Sequence, residues 1–356
     1  MSSLVASIAT DHSDMNDTND NNNPINNEVI EFVTEPMQVY IEDTDAFGVV
    51  FNGNYVKLYE RVLHNYYYSS IRSSGGKRSN KISNQMLINH VTNHKFKTAA
   101  RLGDEYVIRG EMVKDIYTGN DGINQQTWEL QMIKHYGDSD YNKATNENDV
   151  VFNTATITLS NIHMIDTSAE GHSLDKTRTY ESDISEPHKS KGKIMTVEAS
   201  FQTHHDEFSP VLIIDEQNLD DMRQDSLETK YHLPMYVILK YYERIRTIAL
   251  GGPAALNRTQ VEYGVLWVIT SIDDFSISHD FMTYQNQILC QEVTVKSKFN
   301  LKRGGMIVTC EQEIYSNING EPTLISKALI SMCAIDVKNG YRPTKDIPEF
   351  TRELWN

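Results

Sequence analysis

Cysteine is scarce in this chain: three in 356 residues, at Cys290, Cys310 and Cys333. They share no Cys-x-x-Cys spacing and sit in strand-like apolar runs, so they read as reduced core thiols and not as a disulfide framework or a zinc site. No apolar run approaches the roughly 20 residues that cross a bilayer. Positive charge is also short. Lys and Arg number 33 against 49 Asp and Glu, the formal net charge is −16, and the first Lys or Arg is Lys57. Nucleic-acid binding rests on neutralising phosphates with Lys and Arg, so that class is set aside. An acidic protein partner would need a local basic patch such as Lys95, Lys97 and Arg101, or Lys302 and Arg303. There is no Gly-x-Ser-x-Gly elbow and no Walker phosphate loop, which removes serine hydrolases and P-loop NTPases. Residues 10–28 are mostly Asp, Asn, Ser and Thr. They lack the basic start and apolar centre of a secretory signal and the Arg of a transit peptide. The segment reads as disordered, with the cytoplasm as the default location.

What the chain does have is an internal repeat. The first copy runs Met37-Gln-Val-Tyr-Ile-Glu-Asp-Thr-Asp45-Ala-Phe47, then Asn54-Tyr-Val-Lys-Leu-Tyr-Glu-Arg61. The second runs Ser200-Phe-Gln-Thr-His-His-Asp206-Glu-Phe208, then Leu233-Pro-Met-Tyr-Val-Ile-Leu-Lys-Tyr-Tyr-Glu-Arg244. Each is an extended segment ending in Asp-x-Phe, followed by a Tyr-Val start and a Tyr-Glu-Arg finish. The second copy carries an insert, about 209–231, between the two parts.

Tyr55, Tyr59, Val62 and Tyr66 recur at i, i+4, i+7 and i+11, and Val237, Tyr241, Ile245 and Ile248 at i, i+4, i+8 and i+11, which predicts one amphipathic helix per copy. Asn52 or Asn54 can cap the first, Pro234 suits the first turn of the second, and Gly251-Gly252-Pro253 ends it. Four strand-like runs follow each helix: 86–98, 104–116, 126–136 and 150–163, then 263–277, 286–299, 306–316 and 323–335. Gly119-Asn120-Asp121-Gly122, Arg303-Gly304-Gly305 and Asn319-Gly320 supply hairpin chemistry between them. Each half is thus a strand, a helix and a meander, an α+β arrangement in which the helix covers one sheet face. The expected division is a disordered segment 1–32, a first domain 33–165, a linker 166–195, a divergent second domain 196–338 and a tail 339–356.

The run Val39-Tyr-Ile-Glu-Asp-Thr-Asp-Ala-Phe-Gly-Val-Val-Phe-Asn-Gly-Asn-Tyr-Val-Lys-Leu-Tyr-Glu-Arg61 resembles the signature of the 4-hydroxybenzoyl-CoA thioesterase-like hotdog enzymes. Phe96-Lys-Thr-Ala-Ala-Arg-Leu-Gly-Asp104 resembles a later passage of the same family. The match covers about 37–165, and the second half resembles the fold more weakly. The resemblance implies two tandem hotdog units, each a curved antiparallel β-sheet wrapped around one long helix. The two would pair within one chain as a pseudo-dimer that can associate further as a homo-oligomer.

It also implies an acyl thioester hydrolase acting on acyl-CoA, with acyl-carrier-protein thioesters as the alternative substrate and no metal or redox cofactor. Asp45 stands where the family's acid faces the thioester carbonyl, as general base or as nucleophile. Main-chain N–H groups of Asn52 and Gly53 at the helix start would hold the developing oxyanion. Phe47, Val49, Val50 and Tyr55 are the candidate substrate-binding residues. Many relatives carry His where Asn52 stands and Gly where Phe47 stands. Asn exchanges no proton near neutral pH, so a non-catalytic acyl-binding or scaffold protein is a further reading. A hotdog dehydratase would need its own Asp-His or Glu-His signature, which the chain lacks. In the second copy His204, His205 and Asp206 occupy the places of Asp43, Thr44 and Asp45, so His205 and Asp206 form a possible second site. Glu60 and Glu243 read as structural, pairing with Arg61 or Arg244 or satisfying sheet backbone. Adjacent His204 and His205 lack the third ligand that a metal wants.

Overall fold

Along the strand Ile307–Ile318, Val308, Cys310, Gln312, Ile314, Ser316 and Ile318 are buried and the residues between them are not. This period of two marks a sheet with one covered face. The computed structural model describes residues 30–45, 48–73, 86–118, 123–137, 149–161, 193–212, 229–278, 291–318 and 320–355. In chain order its elements begin with β1 (Ile30–Val33), β2 (Met37–Gln38), a one-turn 3-10 helix (Ile41–Asp43) and α1 (Asn52–Ser73). Then come β3 (Met86–Phe96), β4 (Glu105–Thr118), β5 (Ile123–Lys134), β6 (Val151–Asn161) and β7 (Lys193–Gln202). A second 3-10 turn (His205–Glu207), β8 (Ser209–Leu212), β9 (Thr229–His232), α2 (Met235–Ala249) and α3 (Gly252–Tyr263) follow. The chain closes with β10 (Val265–Ile277), β11 (Glu292–Lys302), β12 (Ile307–Ile318), β13 (Glu321–Asp336), β14 (Arg342–Pro343) and α4 (Glu349–Leu354).

Among the described residues, twelve strands form one sheet ordered β1-β4-β5-β6-β3-β10-β13-β12-β11-β7, with β2 on β4 and β14 on β13. The order is palindromic: β1 answers β7, β4 answers β11, β5 answers β12, β6 answers β13 and β3 answers β10. The halves meet at the antiparallel β3–β10 seam, where Ile272 faces His94 and Phe275 faces Val91. His90 Nε2 lies 2.7 Å from Asp274 Oδ1 across that seam.

The two long helices lie where the apolar periodicity puts them. Tyr55, Tyr59, Val62 and Leu63 of α1, and Val237, Ile238, Tyr241, Tyr242 and Ile245 of α2, are buried in one continuous core. Burying a side chain of this size contributes roughly 1.5–3 kcal/mol, so these faces dock the helices onto the sheet. Two polar clusters inside the core are hydrogen-bonded across helix and sheet. Asn153 donates its side-chain amide to His94 Nε2 and accepts the Tyr59 hydroxyl. In the other half Arg246 Nη1 donates to Gln312 Oε1 at 2.6 Å, and Gln312 Nε2 donates to Ser297 Oγ at 2.7 Å.

Some expectations need correction. Gly251-Gly252-Pro253 ends α2 and at once starts α3, because Gly251 adopts φ 90° and Pro253 sits in the first turn, where no N–H is needed. Residues 339–356 were expected to be an appendage, yet Trp355 is buried, packs edge-on against Trp267 at 5.9 Å and presses on Gly305. A Cβ on Gly305 would come within 2.2 Å of that ring. Pro234 is the N-cap of α2, one place before its first turn. Cys310 is buried and Cys333 half-buried, both as free thiols. Phe47, Cys290, residues 1–29, most of the linker, the 119–122 turn and 213–228 of the insert lie outside the described residues.

Candidate active site

The passage from β2 to α1 is a compact loop held by its own main chain. Asp43 ends the first 3-10 turn and is buried, and its carbonyl accepts Phe51 N at 3.1 Å and Asn54 Nδ2 at 3.0 Å. Lys57 of α1 reaches back to Asp43 Oδ1 at 3.7 Å. Beyond it the chain doubles on itself. Asp45 N donates to Val49 O at 2.8 Å, Gly48 N donates to Asp45 O at 3.0 Å, and Val49 N donates to Asp45 Oδ1 at 3.2 Å. Gly48 takes φ 68°, the left-handed turn conformation that glycine adopts without steric cost. Val50 N donates to Ala100 O and Leu102 N to Gly48 O, both at 2.9 Å, which ties the loop to the chain leading into β4.

Asp45 is exposed and lines a cleft of about 770 Å³ between this loop and the α2–α3 region. Thr44, Phe51, Asn54 and Lys57 line the near wall, and Tyr236, Lys240, Glu243 and Arg244 of α2 the far wall. Glu243 has its acid strength reduced, first by burial and then, after an opposing effect of Arg246, by the negative charge of Asp45. Its own helix neighbour does not neutralise it. Arg244 instead lies 3.7 Å from Glu207 and over the Tyr241 ring at 4.9 Å.

Asn52 is half-buried at the first position of α1, and Gly53 is buried beneath Phe51, where an added Cβ would meet that ring at 2.8 Å and the Tyr236 carbonyl at 3.3 Å. First-turn N–H groups have no acceptor within their own helix. Val49 is half-buried and bridges to Arg101, while Val50 is buried in the core. Tyr55 belongs to the core as well. Its hydroxyl accepts Ala100 N at 3.2 Å, its ring packs on Phe96 at 5.5 Å, and burial pushes its pKa up to about 12. Tyr55 and Val50 thus take part in core packing, which leaves their side chains little exposed surface. Lys57 and Lys240 are cleft residues that sequence reasoning passed over, and Glu243, expected to be structural, lines the cleft beside them.

The second copy differs in register. The 3-10 turns align His205–Glu207 with Ile41–Asp43. Thus Asp206 stands opposite Glu42 and Ser209 opposite Asp45, three residues from the alignment by Asp-x-Phe. Glu207, half-buried, takes the place of Asp43 and receives the Tyr241 hydroxyl and His204 N. His205 and Asp206 are both exposed. The β8–β9 hairpin of the insert leads into α2 and carries His232 to the counterpart of Glu243. His232 Nδ1 faces Ser209 O at 3.1 Å and its Nε2 lies 3.8 Å from Glu60 Oε1. The two ends of the molecule are built differently for this reason.

No family model matches the chain, and no curated protein matches it. Among solved structures it is similar to one described as an oleoyl thioesterase from Lactobacillus plantarum, at 10% identity and TM-score 0.46, over 86% of this chain and 97% of that one. The 12:0-ACP thioesterase from Umbellularia californica is similar at 10% identity and TM-score 0.40, over 85% and 97%. The dehydratase domain of PpsC from Mycobacterium tuberculosis, in complex with C12:1-CoA, follows at 9% identity and TM-score 0.35, over 88% and 96%. Likeness this distant assigns no activity to the chain.

Proposed function

We propose that this chain is a double-hotdog acyl thioester hydrolase whose preferred substrate is an acyl-CoA. One observation carries the reading: Asp45, the second acid of the Asp-Thr-Asp motif, lines a large cleft on the loop that runs directly into the start of α1. The palindromic sheet with one long helix per half supports two hotdog units, 33–165 and 196–338, joined by the 166–195 linker into an intramolecular pair.

The chemistry follows from that placement. The thioester carbonyl sits by the first turn of α1, where the unpaired N–H groups of Asn52 and Gly53 and the helix dipole stabilise the charge that builds on oxygen. The Asp45 carboxylate either takes a proton from the attacking water or attacks the carbonyl carbon itself. The carboxylic acid and the thiol then leave. The hydrogen bond from Val49 N to Oδ1 holds the Asp45 carboxylate in a fixed orientation on this loop.

The test is hydrolysis of an acyl-CoA panel, with acyl-carrier-protein thioesters alongside, by wild type and Asp45→Asn. Loss of the carboxylate should lower kcat by about 10²–10⁴-fold at unchanged fold. Equal rates would sink the assignment of Asp45. Saturable acyl-CoA binding with no turnover by wild type would favour a non-catalytic acyl-binding protein, the reading that Asn52, which exchanges no proton, keeps open.

A further inference from the structure

Building on the hydrolase reading above, we infer that Glu243 is the second catalytic carboxyl group of the cleft: it gives the leaving thiolate its proton while Asp45 works on the water.

Three observations place it there. Glu243 lines the same cleft as Asp45 but comes from α2, in the other half of the chain. Among the described residues it makes no hydrogen bond or ion pair, and the two arginines that could hold it are engaged elsewhere, Arg244 with Glu207 and Arg246 with Gln312. Its counterpart on α1, Glu60, instead faces His232 at 3.8 Å beside the β8–β9 hairpin. The fold itself does not require a helix glutamate to stand unpaired over a cleft.

The charges around Glu243 favour a proton on it. Burial acts first, and Asp45 across the cleft adds to it, while Arg246, Lys240 and Arg244 of its own helix oppose both. Lys57 and Glu42 lie on the opposite wall. A carboxyl group whose hold on its proton is strengthened by burial and by a second carboxylate is suited to the acid's part in such a pair.

The step balances. Asp45 carboxylate takes one proton from water as the water oxygen bonds to the carbonyl carbon. The tetrahedral adduct then expels the thiolate as the C–S bond breaks. Glu243 gives its proton to that sulfur and becomes a carboxylate. The proton on Asp45 passes through solvent in the cleft to Glu243 and resets both groups.

The experiment compares wild type, Glu243→Gln, Glu243→Asp and Asp45→Asn on an acyl-CoA and on the thiophenyl ester of the same acid. An aryl thiolate leaves without needing a proton. Glu243→Gln should therefore lower kcat for acyl-CoA by about 10²-fold at unchanged KM, yet leave the thiophenyl ester nearly untouched. It should also abolish the alkaline limb of the kcat/KM–pH profile, which Glu243→Asp should retain. Equal slowing of both esters, an alkaline limb that survives in Glu243→Gln, or no slowing at all would overturn the role of Glu243. A fully active Asp45→Asn would instead overturn the hydrolase site, so the two failures are told apart.

Discussion

His94 offers a direct test of how the first half holds its core. Its ring is fully buried, with ring centroids 4.4 Å from Phe96 and 6.3 Å from Tyr59. Nε2 receives the Asn153 amide, so the imidazole has to be neutral to accept it. Burial drives its pKa down from 6.5 to about 3. In the unfolded chain the same group titrates near 6.5. Between those two values the unfolded state binds the additional proton. Stability is therefore complete above about pH 6.5 and drains away as the pH falls towards 3. At roughly 1.4 kcal/mol per unit, moving from pH 7 to pH 5 removes about 2 kcal/mol through this one side chain. The comparison is urea unfolding of wild type and His94→Gln at both pH values. The Gln oxygen can still accept from Asn153 but does not titrate, and other acid-sensitive groups cancel between the two proteins. Wild type should lose about 2 kcal/mol more than the variant on acidification. An identical loss in both would refute the neutral, desolvated histidine.

Two further expectations concern stability and function together. Gln312→Leu removes the acceptor of a buried guanidinium and should cost about 3–5 kcal/mol in urea unfolding, whereas Arg246→Met with Gln312→Leu should recover most of it. A double variant as unstable as the single one would show that the charge is not the cause. Tyr55→Phe strands the buried Ala100 N–H and should cost about 1–3 kcal/mol in stability while leaving kcat and KM for acyl-CoA unchanged. A raised KM at full stability would return Tyr55 to the substrate.

Much of the secondary structure was legible because apolar periodicity is a local property. The helical rows of apolar residues from Tyr55 and from Val237 became α1 and α2, and the eight strand runs became β3 to β6 and β10 to β13 within a few residues at most ends. α3 was not legible, because Gly252-Pro253 can stop one helix and start another with the same chemistry. Trp355 was not legible either. The groove that buries it is made by Trp267 and Gly305, and the tail carries no pattern of its own.

For the candidate site the division is sharper. Asp45 and the helix start at Asn52 could be named from the motif, since they lie on one short segment that folds back on itself through local hydrogen bonds such as Asp45 N to Val49 O. The register of the second copy could not. Asp206 and Glu207 are both acids, and only the matching 3-10 turns show that Glu207 answers the buried Asp43. The opposition of Glu243 to Asp45 was beyond the sequence for a deeper reason. Periodicity states which face of α2 is apolar, but not which loop will stand across from its polar edge. That was decided when β3 paired with β10 and set the two halves side by side in one sheet.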